Sequence, residues 1–274
     1  MPDTLIKGYE ELENKFLKRV EKDRELLSCD DIVYLPAFLK PTRKVKYVFI
    51  SMEPSLTKEW APDRNKADAQ IEGGFRNFAP SRFEDAILHY CAQKYLLTDY
   101  KGYYITDMSK GARPPQKANS ERIRTWLNWF QLLKEELELV AEEDAQIFTI
   151  GKKVHDFLLG KTQKKKIPPE NIMEYKCIVN WIETRFRGKL KYLPNHSPMN
   201  KKYWGTFINE KKLKNAYAKY ILTEDDLLAF TKTLLYNTNS KITCMEGLQE
   251  KKLNESLKKM AFVYKMILTP YRIG

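Results

Sequence analysis

Four short apolar segments, each followed by a polar loop, constrain the fold of this chain more than any other feature. Their composition is typical of buried strands, and they lie at 46–50, 102–107, 146–150 and 189–193. Segments with helical periodicity separate them: one at about 81–95, one that starts near Ser120 and one that ends near Leu159. Strands that alternate with helices predict an α/β fold, here a three-layer α/β/α sandwich with a central, four-stranded, mainly parallel sheet.

Helical extensions are expected at both ends of this core. A charged amphipathic pattern at about 5–27 predicts a helix within an N-terminal helical extension of residues 1–44. Residues 45–210 form the expected α/β core, in which 175–182 is compatible with either a strand or a helix. From 211 to 274 the pattern is again mostly helical, and we expect this tail to pack on the same domain.

The balance of charged residues favours a polyanionic partner. The chain has 48 lysine and arginine residues against 36 acids, which gives a formal net charge of +12. Neutralising phosphates releases counterions and supplies much of the affinity of proteins for nucleic acid. The alternative is a lysine-rich surface that is merely solvated, and charge alone leaves both interpretations open.

Cysteine usage and hydropathy exclude several other classes. The four cysteines, at 29, 91, 177 and 244, form no C-x-x-C pair, so we expect neither a structural zinc nor an iron–sulfur site. Reduced thiols are typical of the cytosol. The chain begins with no signal-peptide pattern and has no apolar run of membrane-spanning length, so a cytoplasmic protein without membrane contact is expected.

Polar residues follow each of the four predicted strands. Glu53 follows the first strand, Asp107 ends the second, Gly151 closes the third and His196 follows the fourth. In a parallel sheet the carboxyl ends of the strands meet at one edge, and ligands bind there. The sequence therefore predicts a single site that gathers these residues.

Such a set suits hydrolysis of an N-glycosidic bond in nucleic acid. A carboxylate, for which Glu53 is the candidate, stabilises the cationic sugar and orients water, and a donor such as His196 stabilises the departing base. The nucleotide must first leave the base stack. Ser55 and Ser197 suit phosphate contacts, and Met199 suits the apolar wedge that fills the gap.

Three loops resemble those of the uracil-DNA glycosylase superfamily. They read SMEPS at 51–55, YITDMSKGARPP at 104–115 and NHSPMN at 195–200. Superfamily members have a Gly-x-Asp-Pro-Tyr-like or Gly-x-Ala-Pro-Gly-like loop, a strand that ends in a base-reading Asn, and a His-Pro-Ser-Pro-like loop. Each motif alone is weak, but their order and their placement at strand ends match over about residues 45–210.

The resemblance implies catalytic roles for residues of the first and last loops. Glu53 falls where some families keep the catalytic Asp; the alternative is a surface acid or a helix cap. An ungapped match puts Asn195 at the family His and His196 where a Pro usually stands, so either could face the leaving base. His89 and His155 lie within helical patterns and are interpreted as structural.

Asp107 departs from the family Asn, and this changes the expected substrate. An Asn offers a donor and an acceptor, which suits uracil, whereas an ionised carboxylate only accepts and matches the N4 amino group of cytosine. A protonated Asp107 could also address cytosine N3. Ser55 replaces the family Tyr that shields C5, which leaves room for a larger substituent. The alternative for Asp107 is a side chain that points away and caps the following turn.

Further residues are candidates for base stacking and for DNA contact. Phe75 and Phe78 occupy the region where the superfamily places a stacking Phe, although either could be core. The other candidates lie close to the motifs and are expected at phosphates, with a solvated surface charge as the alternative for each cation. They are Ser51, Lys110, Arg113, Lys117, Lys201 and Lys202.

Together these features predict a monomeric, cofactor-free and metal-free DNA glycosylase that removes a modified cytosine, such as the hydroxymethylated or glucosylated base of phage DNA. One alternative is a repair enzyme for uracil or another deaminated base. A second is a catalytically inactive DNA- or RNA-binding protein on the same scaffold, and a third is a nucleotide-binding or sensor protein whose basic surface engages RNA.

Overall fold

The structure is a computed structural model that describes residues 2–54, 64–113, 121–194, 201–240 and 253–272. It is a mixed α/β protein in which helices flank a four-stranded parallel sheet. This confirms the predicted class and is consistent with a three-layer α/β/α sandwich.

The main sheet has the strand order β3-β2-β5-β6, and every neighbouring pair is parallel. Its strands are β2 (Val45–Ser51), β3 (Tyr103–Asp107), β5 (Ala141–Ile150) and β6 (Leu190–Leu193). A second, antiparallel pair joins β1 (Val33–Tyr34) to β4 (Gly111–Ala112). All but one of the β2 residues are buried, as expected for an inner strand that is covered on both faces.

Ten helices are described, and short 3-10 turns supplement them. They are α1 (Pro2–Leu27), α2 (Arg64–Glu72), α3 (Phe83–Leu96), α4 (Arg122–Val140), α5 (Lys152–Leu158), α6 (Ile172–Arg185), α7 (Lys201–Glu210), α8 (Lys214–Ala218), α9 (Glu224–Asn237) and α10 (Glu255–Leu268). The segment at 175–182 is thus helical. Among the described residues, none of these helices combines the length and the apolar character that crossing a bilayer requires.

One face of the sheet packs against α4, α5 and α6 to form a large core. Val48 and Ile147 of the sheet contact a cluster that includes Trp126 and Phe157, whose rings lie 5.2 Å apart. Helix α1 packs on α4 through a smaller cluster that includes Phe16 and Trp129. On the opposite face of the sheet an aromatic row is buried, in which Phe49 stacks on Phe148 at 5.0 Å.

The chain divides into two compact units, each built from two segments. The first comprises Met1–Asn77 and Lys101–Pro194 and contains the main sheet. The second comprises Phe78–Tyr100 and Asn195–Gly274, in which α3 packs on α9 and α10. Helix α1 belongs to the same unit as the sheet. The division into an N-terminal extension, a core and a C-terminal extension at residues 44 and 210 stays a prediction.

Candidate active site at the carboxyl edge of the sheet

The strands that carry the predicted site end at one edge of the sheet. Ser51, the last residue of β2, is the register partner of Asp107, the last residue of β3. The Met108 amide donates to the backbone oxygens of Ser51 at 3.0 Å and Met52 at 2.9 Å, which ties the two following loops together. The Gly151 amide donates to the Leu193 oxygen at 2.8 Å and joins the ends of β5 and β6.

Glu53 is a buried, ion-paired carboxylate. Its side chain is only 4% exposed, and its Oε1 atom lies 2.6 Å from Arg122 Nε and 2.5 Å from Arg122 Nη2. The Trp126 indole donates to Oε2 at 3.2 Å. Both partners come from the first turns of α4, so this helix fixes the orientation of the carboxylate. Glu53 is therefore neither a surface acid nor a helix cap.

Asp107 is a buried carboxyl group at the end of β3, with 1% of the residue exposed. Burial raises the pKa of Asp107 to about 7; Lys110 and the hydrogen bond from Asn77 oppose this rise, and Glu53 and Glu136 add to it. At neutral pH both the protonated and the ionised form are therefore populated. The carboxyl group accepts a hydrogen bond from the Asn77 side chain. Among the described residues, no backbone amide of the following turn donates to it.

Asn77 is a site residue that the sequence analysis missed. Its Nδ2 donates to Asp107 Oδ2. Its backbone is fixed on both sides, because its amide donates to the Pro36 oxygen at 2.8 Å and its oxygen accepts from the Phe38 amide at 3.0 Å. Asn77 thereby holds Asp107 from a loop that no motif marked.

Lys110 belongs to a buried polar network that adjoins Asp107, whose backbone oxygen accepts a hydrogen bond from Lys110 Nζ at 3.2 Å. Its Nζ atom pairs with Glu136 Oε2 at 2.8 Å, and Glu136 is fully buried in α4. Glu136 also accepts from the hydroxyl groups of Tyr104 at 2.7 Å and Thr106 at 3.0 Å. This placement argues against the predicted phosphate contact, because the ammonium group is buried and already compensated.

Arg113 and Ser51 are also buried, which argues against the DNA contacts expected of them. Arg113 donates through Nη2 to the Thr125 hydroxyl at 2.6 Å, and burial lowers its pKa. Its Nε atom is buried and has no hydrogen-bond partner among the described residues. Ser51 is the last residue of β2 and is buried. These residues support the scaffold around the site.

The two candidate stacking residues have different environments. Phe75 is partly buried and packs on a small cluster that contains Val33 and Leu35. Phe78 directly follows Asn77 and has a φ of 58°, a left-handed conformation that is uncommon for a bulky residue. Its backbone oxygen lies 2.8 Å from His89 Nε2. A stacking role for either phenylalanine stays a prediction.

The remaining predicted residues lie wholly or partly outside the described residues. Ser55, Lys117, Asn195, His196, Ser197 and Met199 fall in segments that are not described. Lys201 and Lys202 begin α7, and the structure describes only the backbone of these two residues. The other histidines lie in helices, as predicted: His89 is buried in α3, and His155 in α5 bonds Thr149 at 2.8 Å.

Within the described part of the chain, no cluster of His, Cys, Asp or Glu side chains has an arrangement that could hold a metal ion. No protein-family model, curated protein or solved structure matches the chain. What the described site offers chemically is one oriented, ion-paired carboxylate and one carboxyl group that titrates near neutrality. Two carboxyl groups whose environments differ in this way can take different chemical roles, one as a fixed negative charge and the other as a group that gains or loses a proton.

Proposed function

We propose that this protein is a monofunctional DNA glycosylase that flips a modified cytosine out of DNA and hydrolyses its N-glycosidic bond, leaving an abasic site. The observation that carries the proposal is the juxtaposition of Glu53 and Asp107 at the carboxyl ends of the neighbouring strands β2 and β3. The loop resemblance to the uracil-DNA glycosylase superfamily supports the same assignment.

Glu53 stabilises the cationic sugar in this mechanism and orients the attacking water. Arg122 and Trp126 hold its two oxygens in a fixed orientation before substrate binds. A preorganised charge in a buried site needs no reorganisation during the reaction, which is the main source of electrostatic catalysis. In the proposed reaction, Asn195 or His196 donates a hydrogen bond to the departing base.

Asp107 reads the base. Ionised, it accepts from the N4 amino group of cytosine, and protonated, it donates to N3; its pKa of about 7 makes both forms accessible. Because only 1% of the residue is exposed, neighbouring side chains must move before a base reaches it. A hydroxymethylated or glucosylated cytosine, as in phage DNA, is the proposed substrate, since excision of ordinary cytosine would destroy the host genome.

The cell compartment, the cofactors and the oligomeric state are parts of the same proposal. Cys29, Cys91 and Cys177 are free thiols, which suits a reducing cytoplasm. The proposed hydrolysis uses only protein side chains and water, so it requires neither a metal nor a cofactor. A single copy of the chain carries every residue to which we assign a role, and we propose a monomer.

One observation favours a second candidate function, a catalytically inactive DNA-binding protein. Both oxygens of Glu53 are engaged by side chains of α4, as they would be if this carboxylate only stabilised the fold. Excision assays separate the two functions.

The experiment compares the wild type with Glu53→Gln on oligonucleotides that carry hydroxymethylcytosine, glucosylated hydroxymethylcytosine, uracil or hypoxanthine. Alkali-labile abasic sites are scored. We expect the wild type to cleave at a modified cytosine, and Glu53→Gln to be slower by about 10²-fold or more, because the neutral amide removes the stabilising charge. DNA binding without cleavage of any substrate would instead identify the inactive protein.

A further inference from the structure

A basic cleft of about 820 Å³ lies beside the turn of α4 that holds Glu53. Its walls are the first turns of α4, the start of α5 and the loop at 161–169. Ile123, Ile167 and Pro168 contribute apolar surface to these walls. The volume falls within the range of about 300–1,000 Å³ that is typical of ligand sites.

The acids of this cleft compensate only part of its positive charge. Its lining contains two acidic residues, Glu121 and Asp156. Asp156 pairs with Lys152 at 2.6 Å, and Glu121 lies 3.9 Å from Arg124. Arg122 also lines the cleft and pairs with the site carboxylate described above. Each of these three cations therefore has an acidic partner.

Four further lysines of the lining have no acidic partner within ion-pair distance among the described residues. The ammonium groups of Lys153, Lys161, Lys165 and Lys166 make no hydrogen bond or ion pair within the part of the chain that the structure describes, and all four residues are exposed. Partial desolvation and the nearby charge of Arg122 lower the pKa of Lys153; the charge of Glu53 opposes this shift, and that of Lys166 adds to it. Like charges that are held together repel, and a bound anion relieves this repulsion.

We propose that this cleft binds consecutive phosphates of a nucleic-acid strand. Such a strand offers repeated anionic groups to the four lysines and sugar or base surface to the apolar residues. Of the described residues that the sequence marked for DNA contact, none lines this cleft. The inference rests on the proposed function in taking the strand to be the DNA that is processed, but binding itself requires no excision.

The test measures the affinity of the full chain for fluorescein-labelled, unmodified single- and double-stranded oligonucleotides by anisotropy at several KCl concentrations. One variant carries Lys161→Glu, Lys165→Glu and Lys166→Glu. The matched control carries Lys7→Glu, Lys18→Glu and Lys22→Glu on α1, where the three lysines are exposed and the change in net charge is the same. Thermal unfolding monitored by circular dichroism checks that both variants are folded.

We expect the cleft variant to bind oligonucleotides at least about tenfold more weakly than the wild type. The plot of log affinity against log salt concentration should also become less steep, with a slope that is smaller in magnitude by about 2 to 3. The control is expected to stay within about twofold of the wild type. Equal losses in both variants, or no loss in the cleft variant, would overturn the proposal. The proposal would also be overturned if ATP or pyrophosphate bound in the cleft and oligonucleotides did not.

Excision is measured separately on the modified oligonucleotides. A selective loss of binding in the cleft variant, together with a wild type that excises no base, would leave the cleft assignment standing and refute the glycosylase. If the wild type excises a modified base but the cleft variant binds DNA as tightly as the wild type does, the glycosylase proposal stands and the cleft assignment is refuted.

Discussion

At the scale of single residues, the environment of Asp107 opposes its charged form. The side chain is buried at the end of β3, and the hydrogen bond from Asn77, which favours the ionised form, offsets only part of the effect of burial. Its pKa is raised from 3.8 to about 7, mainly by burial. Between these two pH values the folded protein retains a proton that the unfolded chain releases. The contribution of Asp107 to stability therefore falls as the pH rises through this window.

An Asp107→Asn variant should remove that dependence. We expect the variant to be more stable than the wild type at pH 8, and the difference to shrink towards pH 4, because close to a pH of 3.8 the carboxyl group of the unfolded chain is partly protonated as well. The gain at high pH should amount to a few kcal/mol, since one unit of pKa corresponds to about 1.4 kcal/mol. Urea unfolding followed between pH 4 and pH 8 measures it.

Asp30→Asn is the matched control, because Asp30 is exposed and the chemical change is the same. Its pH profile should follow that of the wild type. If Asp107→Asn also follows the wild-type profile, the pKa of Asp107 is not raised by its burial.

Residue identities at the strand ends could be predicted from the sequence, but their partners could not. Asp107 and Glu53 stand at strand ends in the sequence, and they lie there in the structure. Asn77 reaches Asp107 only because its backbone is bridged to residues 36–38, a long-range contact that leaves no local pattern. Glu136 did leave a signal: it is an acid on the apolar stripe of α4, and its burial requires a partner such as Lys110.

At the scale of elements, α4 is attached to the loop after β2 by the side chain of Glu53. Arg122 and Trp126 lie in its first turns and bind both carboxylate oxygens. A buried charge that loses its partner costs far more than an exposed one, because the remaining ion is not solvated. The structure thus predicts that this attachment contributes to stability as well as to the geometry of the site.

Arg122→Met should destabilise the fold by about 3–5 kcal/mol, since it leaves the carboxylate of Glu53 buried without its cation. The double variant Glu53→Gln/Arg122→Met should recover a large part of this loss. Urea unfolding of the four proteins forms a double-mutant cycle that isolates the interaction of the two side chains.

Arg124→Met serves as the control on the same helix. Its side chain is 54% exposed and pairs only loosely with Glu121, so a change of about 0–1 kcal/mol is expected. A loss for Arg122→Met as small as that for Arg124→Met would contradict the buried ion pair.

The elements themselves followed largely from apolar periodicity. The four predicted strands coincide with β2, β3, β5 and β6 to within one residue, except that β5 begins earlier, at Ala141. Its first part includes Glu142, Glu143 and Asp144, which are acidic and therefore did not read as a strand. Helix α4 begins at Arg122, after Glu121 in a left-handed conformation, and not directly after Ser120.

At the scale of the whole molecule, strand alternation predicted the class but not the division of the chain. The second compact unit combines Phe78–Tyr100 with Asn195–Gly274, segments that are far apart in sequence. No composition shift at residue 78 marks that division. The net charge of +12 predicted a polyanion but not its location. The uncompensated lysines gather in one cleft because α4, α5 and the loop at 161–169 meet there.

The most direct test of the proposed activity compares single-turnover excision of hydroxymethylcytosine, glucosylated hydroxymethylcytosine and uracil by the wild type and Asp107→Asn. We predict that the wild type releases a modified cytosine faster than uracil. The ratio of these rates should fall about tenfold or more in the variant, because the amide regains the donor that suits uracil. A wild type that excises uracil as fast as the cytosine derivatives, or a ratio that the variant leaves unchanged, would contradict the account.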